Sequence, residues 1–398
     1  MNYDFNRIYD RASTDSLKWK KGLFGADDIL PLWVADMDFP VAEPIVAALR
    51  RRLDHPIFGY GDVSGSVTGA IVERLERKWG WRIDPQWIVF APGVVPLLTA
   101  SVRAIAPPGT KIAIQTPGYP RFFPAITSSG CTAEVSQHRL AGDHYEMDFA
   151  DLEARFVDPA VRAFMLCSPQ NPIGRVWRRD ELLRVGELAL RYDKPVISDE
   201  MHAEIIMPGF SHTPFVSLSP ELAERSLVCM SISKTFNLAG LAASFAVIPS
   251  QTLREKIRQA TDSITGDISI LGIVAMEAAF RHGDEWLAQV LDYIHGNYLF
   301  LRDYLSARIP RIKLMPMEGT YLAWLDCRGL GLDVDALERF FLEQAKVAPM
   351  GKAIFGPGSE GFQRLNIACP RAILADALAR IEGAANGLPT RDGRGEKH

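Results

Sequence analysis

Charge of one sign is missing from this sequence: 44 Lys and Arg stand against 48 Asp and Glu, a net charge of −4 over 398 residues. A nucleic-acid binder gathers an excess of basic side chains on one face, so a broad phosphate-binding surface is not expected. Long apolar runs are missing too. A stretch such as Ala242 to Pro249 falls far short of the roughly 18–20 residues a membrane-spanning helix needs. The segment Met1 to Arg11 has no apolar signal core, and the expectation is a cytoplasmic protein with no membrane partner. Cysteine is scarce: Cys131, Cys167, Cys229, Cys327 and Cys369 are odd in number, widely spaced and without a CxxC pair. That pattern speaks against disulfide, zinc or redox chemistry and for buried free thiols. With 31 Gly and 26 Pro, low complexity is not indicated, and 47% hydrophobic against 23% charged residues is ordinary globular composition.

What is present is an alternation. From Trp87 onward, short β-rich runs are separated by helical stretches: Trp87–Phe90, Lys111–Gln115, Arg162–Cys167, Pro195–Asp199, Ser226–Met230 and Ser244–Ile248. Near-continuous apolar strands between helices predict a parallel-dominated α/β sheet covered on both faces. Ala42–Leu53 reads as an amphipathic helix through Ile45, Leu49 and Leu53, and Asp284–Arg308 as a long helix. Beyond it, 312–315, 320–325 and 363–367 look like strands of a second unit, since a chain of this length usually divides its core. The expected division is a large unit over 46–285 and a smaller one built from 1–45 and 286–398, with a mobile tail from Gly387.

In such sheets chemistry sits beyond the carboxyl ends of the strands. After Phe90, Gly93-Val94-Val95-Pro96 leads into a helix whose free N–H groups make either an anion cradle or a simple tight turn. After Cys167, prolines on both sides hold Asn171 rigidly, as turn chemistry or as a presented amide donor. Asp199 closes an apolar strand and either caps the next helix or meets a cationic partner such as a protonated ring nitrogen. Lys234, just past a strand and among Ser231 and Ser233, is either a surface lysine or an amine of lowered pKa able to form a Schiff base. His202 and Glu204 make an HxE pattern without its PCxxC partner, so no metal is expected. Gly356–Gly361 fits GxGxxG, but a proline sits inside it and a strand-like run comes next; a flexible loop near a site is the better reading.

Together, cradle, amide, carboxylate and lysine match the needs of pyridoxal phosphate: phosphate, ring hydroxyl, pyridine nitrogen and aldehyde. The set resembles the fold-type I pyridoxal-phosphate enzymes of the class I/II aminotransferase superfamily, with 28 residues from Asn171 to Asp199 and 35 on to Lys234. The runs Leu30–Phe39, Ile57–Tyr60, Pro92–Pro96, Ser233–Gly240, Glu318–Leu322 and Arg364–Arg371 are similar to the MalY/PatB-type cystathionine β-lyases. The resemblance implies an aspartate-aminotransferase-like fold, with a seven-stranded, mostly parallel sheet domain and a smaller α/β domain from both termini. It also implies a homodimer with its sites at the subunit interface, and a small amino acid as substrate. It assigns the covalent bond to the cofactor to Lys234. Cofactor contacts fall to Val94, Val95, Asn171, Asp199, His202, Ser231 and Ser233, with Tyr119 stacking on the ring and Tyr60 reaching the partner's cofactor phosphate. Arg364, Asp38 and Tyr321 are assigned to the substrate, Arg364 to its α-carboxylate.

Two departures stand out. Position 242, eight residues after the lysine, is Ala242 where general aminotransferases place an arginine, which leaves a phosphate more dependent on Ser231, Ser233 and backbone N–H groups. The stretch 61–68 lacks the aromatic residues that often succeed the FGY motif. The expected reaction is carbon–sulfur β-elimination of cystathionine or related S-substituted cysteines. Its alternatives are transamination on the same scaffold and an interaction protein with a vestigial site.

Overall fold

The computed structural model describes residues 1–389, so the expected tail lies from 390 onward outside the described residues. Among the described residues the central sheet has seven strands in the order Ile88–Ala91, Ser244–Val247, Ser226–Ser231, Val196–Asp199, Val161–Cys167, Lys111–Thr116, Thr132–Gln137. Ser244–Val247 runs antiparallel to both neighbours and the other pairings are parallel.

The apolar runs explain themselves in three dimensions. In Val161–Cys167, Ala163, Met165 and Cys167 join a core with the helix Val94–Ile105, while Phe164 and Leu166 join the core on the opposite face. A strand alternates its side chains between faces, so burial on both faces requires apolar residues at nearly every position. Thr132–Gln137 carries no such run, and the alternation over 87–248 does not disclose it. It is an edge strand, exposed at both ends, and an edge needs only one apolar face.

A second sheet joins Lys313–Leu314, Leu322–Asp326 and Phe362–Asn366, all antiparallel. Leu30–Pro31 pairs in parallel with Val347–Ala348, which ties the amino-terminal segment to this end of the chain. The helix Asp284–Arg308 runs as the sequence pattern predicts. It binds the amino terminus through Gln289, which accepts from the Tyr3 N–H at 3.1 Å, and its Asn297 donates to the carbonyls of Ile367 and Cys369 at 2.8 Å. All five cysteines are buried and free. No helix among the described residues is long and apolar enough to cross a membrane.

Candidate active site

Parallel strands in register end at one edge of a sheet. Cys167 pairs with Asp199 and Asp199 with Cys229, so the loops leaving these strands emerge side by side. They enclose a cavity of about 310 Å³ whose wall includes Asn171, Asp199, His202, Lys234, Tyr119 and Arg364. Residues 193 positions apart meet there: Arg364 Nη1 donates to Asn171 Oδ1 at 2.9 Å, leaving the Asn171 amide NH₂ as a donor.

The charges in this wall lack partners of their own. Asp199 is 4% exposed and accepts only the Met201 N–H, at 3.2 Å. Burial pushes its carboxyl up to about 7. Arg364 is 3% exposed and donates to the Trp33 carbonyl at 2.9 Å, while its Nε has no hydrogen-bond partner. Burial lowers its guanidinium to about 10. Lys234 Nζ donates to the Ala35 carbonyl at 2.6 Å. Burial lowers this amine to about 8, with the Asp36 carboxylate pulling the other way. His202 is buried, its Nδ1 unpartnered; burial first, then the Lys234 and Arg364 charges, lower it to about 3, so the ring is neutral. Burial and the Asp199 charge raise the Tyr119 hydroxyl to about 12.

A buried carboxylate without a cation and a buried guanidinium without an anion are each costly as they stand. This donor set fits pyridoxal phosphate with an amino acid: a ring N–H for Asp199, a ring oxygen for Asn171, an α-carboxylate for Arg364. The anion end also has a place in the register. Ala91 pairs with Ser244 and Ser244 with Ser231, so the first turn of Val94–Ile105 and the turn Ile232–Thr235 flank one strand end. Ser231 Oγ lies 2.8 Å from both the Ala243 carbonyl and Ser233 Oγ and accepts from the Ser233 N–H, so it mainly holds this turn. Val94, Val95, Ser231 and Ser233 stand outside the cavity wall itself. Ala242 is left-handed, with φ 49°, and brings no donor.

Two expectations are corrected. Asp38 does not reach the cavity: its carboxylate is taken by Arg11 at 2.6 Å, Lys18 at 2.6 Å and Trp19 at 2.8 Å. Tyr321 lies behind the wall, fully buried, its hydroxyl donating to the Ala35 carbonyl at 3.0 Å and its ring edge-on to His202. Tyr60 is 100% exposed and does not line the cavity of its own chain. Glu204, the other half of the HxE pattern, bonds to Arg74 instead. The Gly356–Gly361 loop is close-packed: a Cβ at Gly358 would meet Gln137 Nε2 at 2.3 Å, and its neighbour Ile354 lines the cavity.

Sequence reasoning missed the residues that hold the wall. Asn237 accepts from the Met37 N–H at 2.9 Å and donates to the Met37 and Phe39 carbonyls at 3.0 Å. Asn366 donates to the carbonyls of Val34 and Asp36 at 2.7 and 2.6 Å. Ala35, the acceptor for Lys234, lies between the two residues that Asn366 holds. Asn237 and Asn366 fall inside motifs already singled out, but partners 200 and 330 positions away leave no local signal.

Comparison with known proteins agrees with this geometry. A model of the aminotransferase class I and II family matches residues 27–381. Cystathionine β-lyase PatB of Bacillus subtilis (strain 168) is 39% identical over 384 residues, 96% of this chain and 99% of PatB. Protein MalY of Escherichia coli (strain K12) is 33% identical over 391 residues, 97% and 100% of the two chains. The crystal structure of cystalysin from Treponema denticola, which contains a pyridoxal 5′-phosphate cofactor, matches with a TM-score of 0.95 at 33% identity, covering 98% of this chain and 100% of that one. With a buried carboxylate that has no cation in contact, an amide and a lysine of lowered pKa at adjoining strand ends, and near full-length likeness to PatB and MalY, the chain belongs to the class I and II aminotransferase family.

Proposed function

We propose that this protein is a pyridoxal-phosphate-dependent carbon–sulfur β-lyase that cleaves cystathionine or related S-substituted cysteines to a thiol, pyruvate and ammonia. The observation that carries it is the cavity in which Lys234, Asp199, Asn171 and Arg364, a guanidinium with no carboxylate partner among the described residues, converge; the likeness to cystathionine β-lyase PatB supports elimination over transamination. When bound, pyridoxal phosphate supplies an electron sink for the pair released as the substrate loses its Cα proton. Asp199, ionised, would keep the ring nitrogen protonated, and Asn171 would donate to the ring oxygen. Neutral His202 and Tyr119 line the same cavity and would contact the cofactor. Arg364 binds the α-carboxylate through the N–H groups it has free, which orients the Cα–H bond toward Lys234. Lys234 Nζ takes that proton and is placed to return it to the departing sulfur. The Cβ–S bond breaks with its electron pair going to sulfur. The three-carbon product is released as 2-aminopropenoate, which water converts to pyruvate and ammonia.

The reading extends to a cytoplasmic homodimer in which Tyr60, beside exposed Ile57 and Phe58, reaches the partner's cofactor phosphate. It also includes the division into 46–285 and 1–45 with 286–398, supported by the pairing of Leu30–Pro31 with Val347–Ala348.

Incubation with cystathionine should give thiol and pyruvate in equal amounts. A keto acid that retains the sulfur substituent, with no thiol, would mark transamination instead. Arg364→Gln should lower kcat/KM by about 10²-fold, mostly through KM, because it removes a charge-assisted contact to the α-carboxylate. The lowered Lys234 pKa sets a second expectation. In cofactor-free protein, capture of pyridoxal phosphate requires the free amine, so its rate should rise with pH to about 8 and then level, whereas a lysine at its ordinary 10.5 would keep accelerating. The growth of visible absorbance after mixing measures it.

A further inference from the structure

Among the described residues, the acidic and basic side chains in the cavity wall other than neutral His202 are Asp199, Lys234, Arg364 and Arg121. The first three are used by the cofactor and the amino-acid head of the substrate. Arg121 is not. It comes directly after Tyr119 and Pro120 and precedes the helix Phe122–Thr127, whose Ala125 N–H bonds to the Arg121 carbonyl at 3.2 Å. Its side chain is exposed, in contrast to buried Arg364, and so marks the open side of the cavity. Among the described residues no carboxylate lies within 4.0 Å of it, although most exposed arginines of this chain have such a partner, as Arg139 has Glu146 and Arg178 has Asp180. Its charge is nonetheless felt inside, where it favours ionisation of the Tyr119 hydroxyl. The same wall carries apolar Met350, whose Sδ touches Arg364 Nη2 at 2.9 Å, and Ile354, which is 41% exposed.

A substrate held by Arg364 at its α-carboxylate and by the cofactor at its amine directs its sulfur substituent along the remaining way out. The exposed members of the wall on offer are Ile354 and Arg121, whose guanidinium has no carboxylate partner among the described residues. We propose that Arg121 is a specificity-determining residue that binds an anionic group at the far end of the sulfur substituent, so that the preferred substrates are cysteine S-conjugates carrying a distal carboxylate on a short apolar arm. The inference rests on the lyase reading of the same cavity.

The test uses two isosteric substrates with the holoenzyme, S-(2-carboxyethyl)-L-cysteine and S-(2-carbamoylethyl)-L-cysteine, which differ in charge and not in shape. The natural protein should prefer the carboxylate by about fivefold in kcat/KM, mainly through KM, as befits an ion pair at an exposed mouth. Added salt should shrink that preference. Arg121→Gln should bring the ratio to about one through a loss on the carboxylate substrate larger than any on the carboxamide, and Arg121→Glu should invert it. A ratio that Arg121→Gln leaves unchanged overturns the proposal. So does an equal fall on both substrates, or a changed elution volume in size-exclusion chromatography, either of which would make Arg121 a structural or subunit-contact residue. If the natural protein binds cofactor but cleaves neither compound, the lyase reading fails. The same pair is then titrated as ligands by calorimetry, where equal affinities in natural protein and Arg121→Gln overturn the Arg121 assignment and a lost preference supports it.

Discussion

Lys234→Ala should lower kcat/KM for any S-substituted cysteine by at least about 10³-fold, because one amine serves both as anchor for the cofactor and as the acid–base group at Cα and sulfur. The fold should survive. Lys234 sits in the short turn Ile232–Thr235 and contributes one side-chain hydrogen bond, to Ala35, while Asn237, Asn366 and Tyr321 hold the same segment independently. Thermal unfolding should therefore change little, and the variant should take up pyridoxal phosphate without the visible absorbance of a lysine-linked cofactor. Partial recovery by added small amines would show that the loss is chemical. A variant that keeps more than a tenth of the activity would remove Lys234 from the reaction.

The second large effect has opposite signs for activity and stability. Asp199 is buried, among the described residues no cation lies within 4.0 Å of its carboxylate, and burial, only partly offset by the Met201 N–H and the Lys234 charge, raises its carboxyl from 3.8 to about 7. Between those values the folded chain holds a proton that the unfolded chain has lost. Stability of the cofactor-free protein therefore falls as pH rises from about 4 to 7, and above 7 the penalty is complete, about 4 kcal/mol from that interval. Asp199→Asn removes the charge. Without cofactor, the variant should unfold at a higher temperature than the natural protein at pH 8, with the difference vanishing near pH 4. With cofactor the order should reverse, because a ring N–H⁺ partners the natural carboxylate and not the amide. Activity should drop about 10²-fold or more, since the electron sink loses its charged partner. Calorimetric scans with and without pyridoxal phosphate at pH 4 and pH 8 decide it; a cofactor-free variant that is less stable at pH 8 would contradict the assignment.

Both effects turn on residues that strand ends disclose. Asn171, Asp199 and Lys234 were legible because each lies just beyond an apolar run, and parallel strands in register deliver their trailing residues to one edge of the sheet. Arg364 was legible only through a resemblance, since the strand Phe362–Asn366 belongs to a different sheet. The motif around Asp36 and Asp38 shows the limit. It correctly marks a segment of the wall, but in an irregular stretch no periodicity says which side chain faces inward. Here the direction is set by Arg11, Lys18 and Trp19, which draw Asp38 away from the cavity.

By itself, then, the sequence determined the α/β class, the two-faced burial of the central strands and which candidate groups stand just beyond the strand ends, because these depend on local pattern and on covalent neighbours. Only the tertiary structure decided that Arg364 meets Asn171, that Asn237 and Asn366 clamp the loop that receives Lys234, and that Arg121 stands unpaired at the mouth. Those facts depend on burial and on partners hundreds of residues away, and burial is also what lowers the Lys234 pKa and raises that of Asp199.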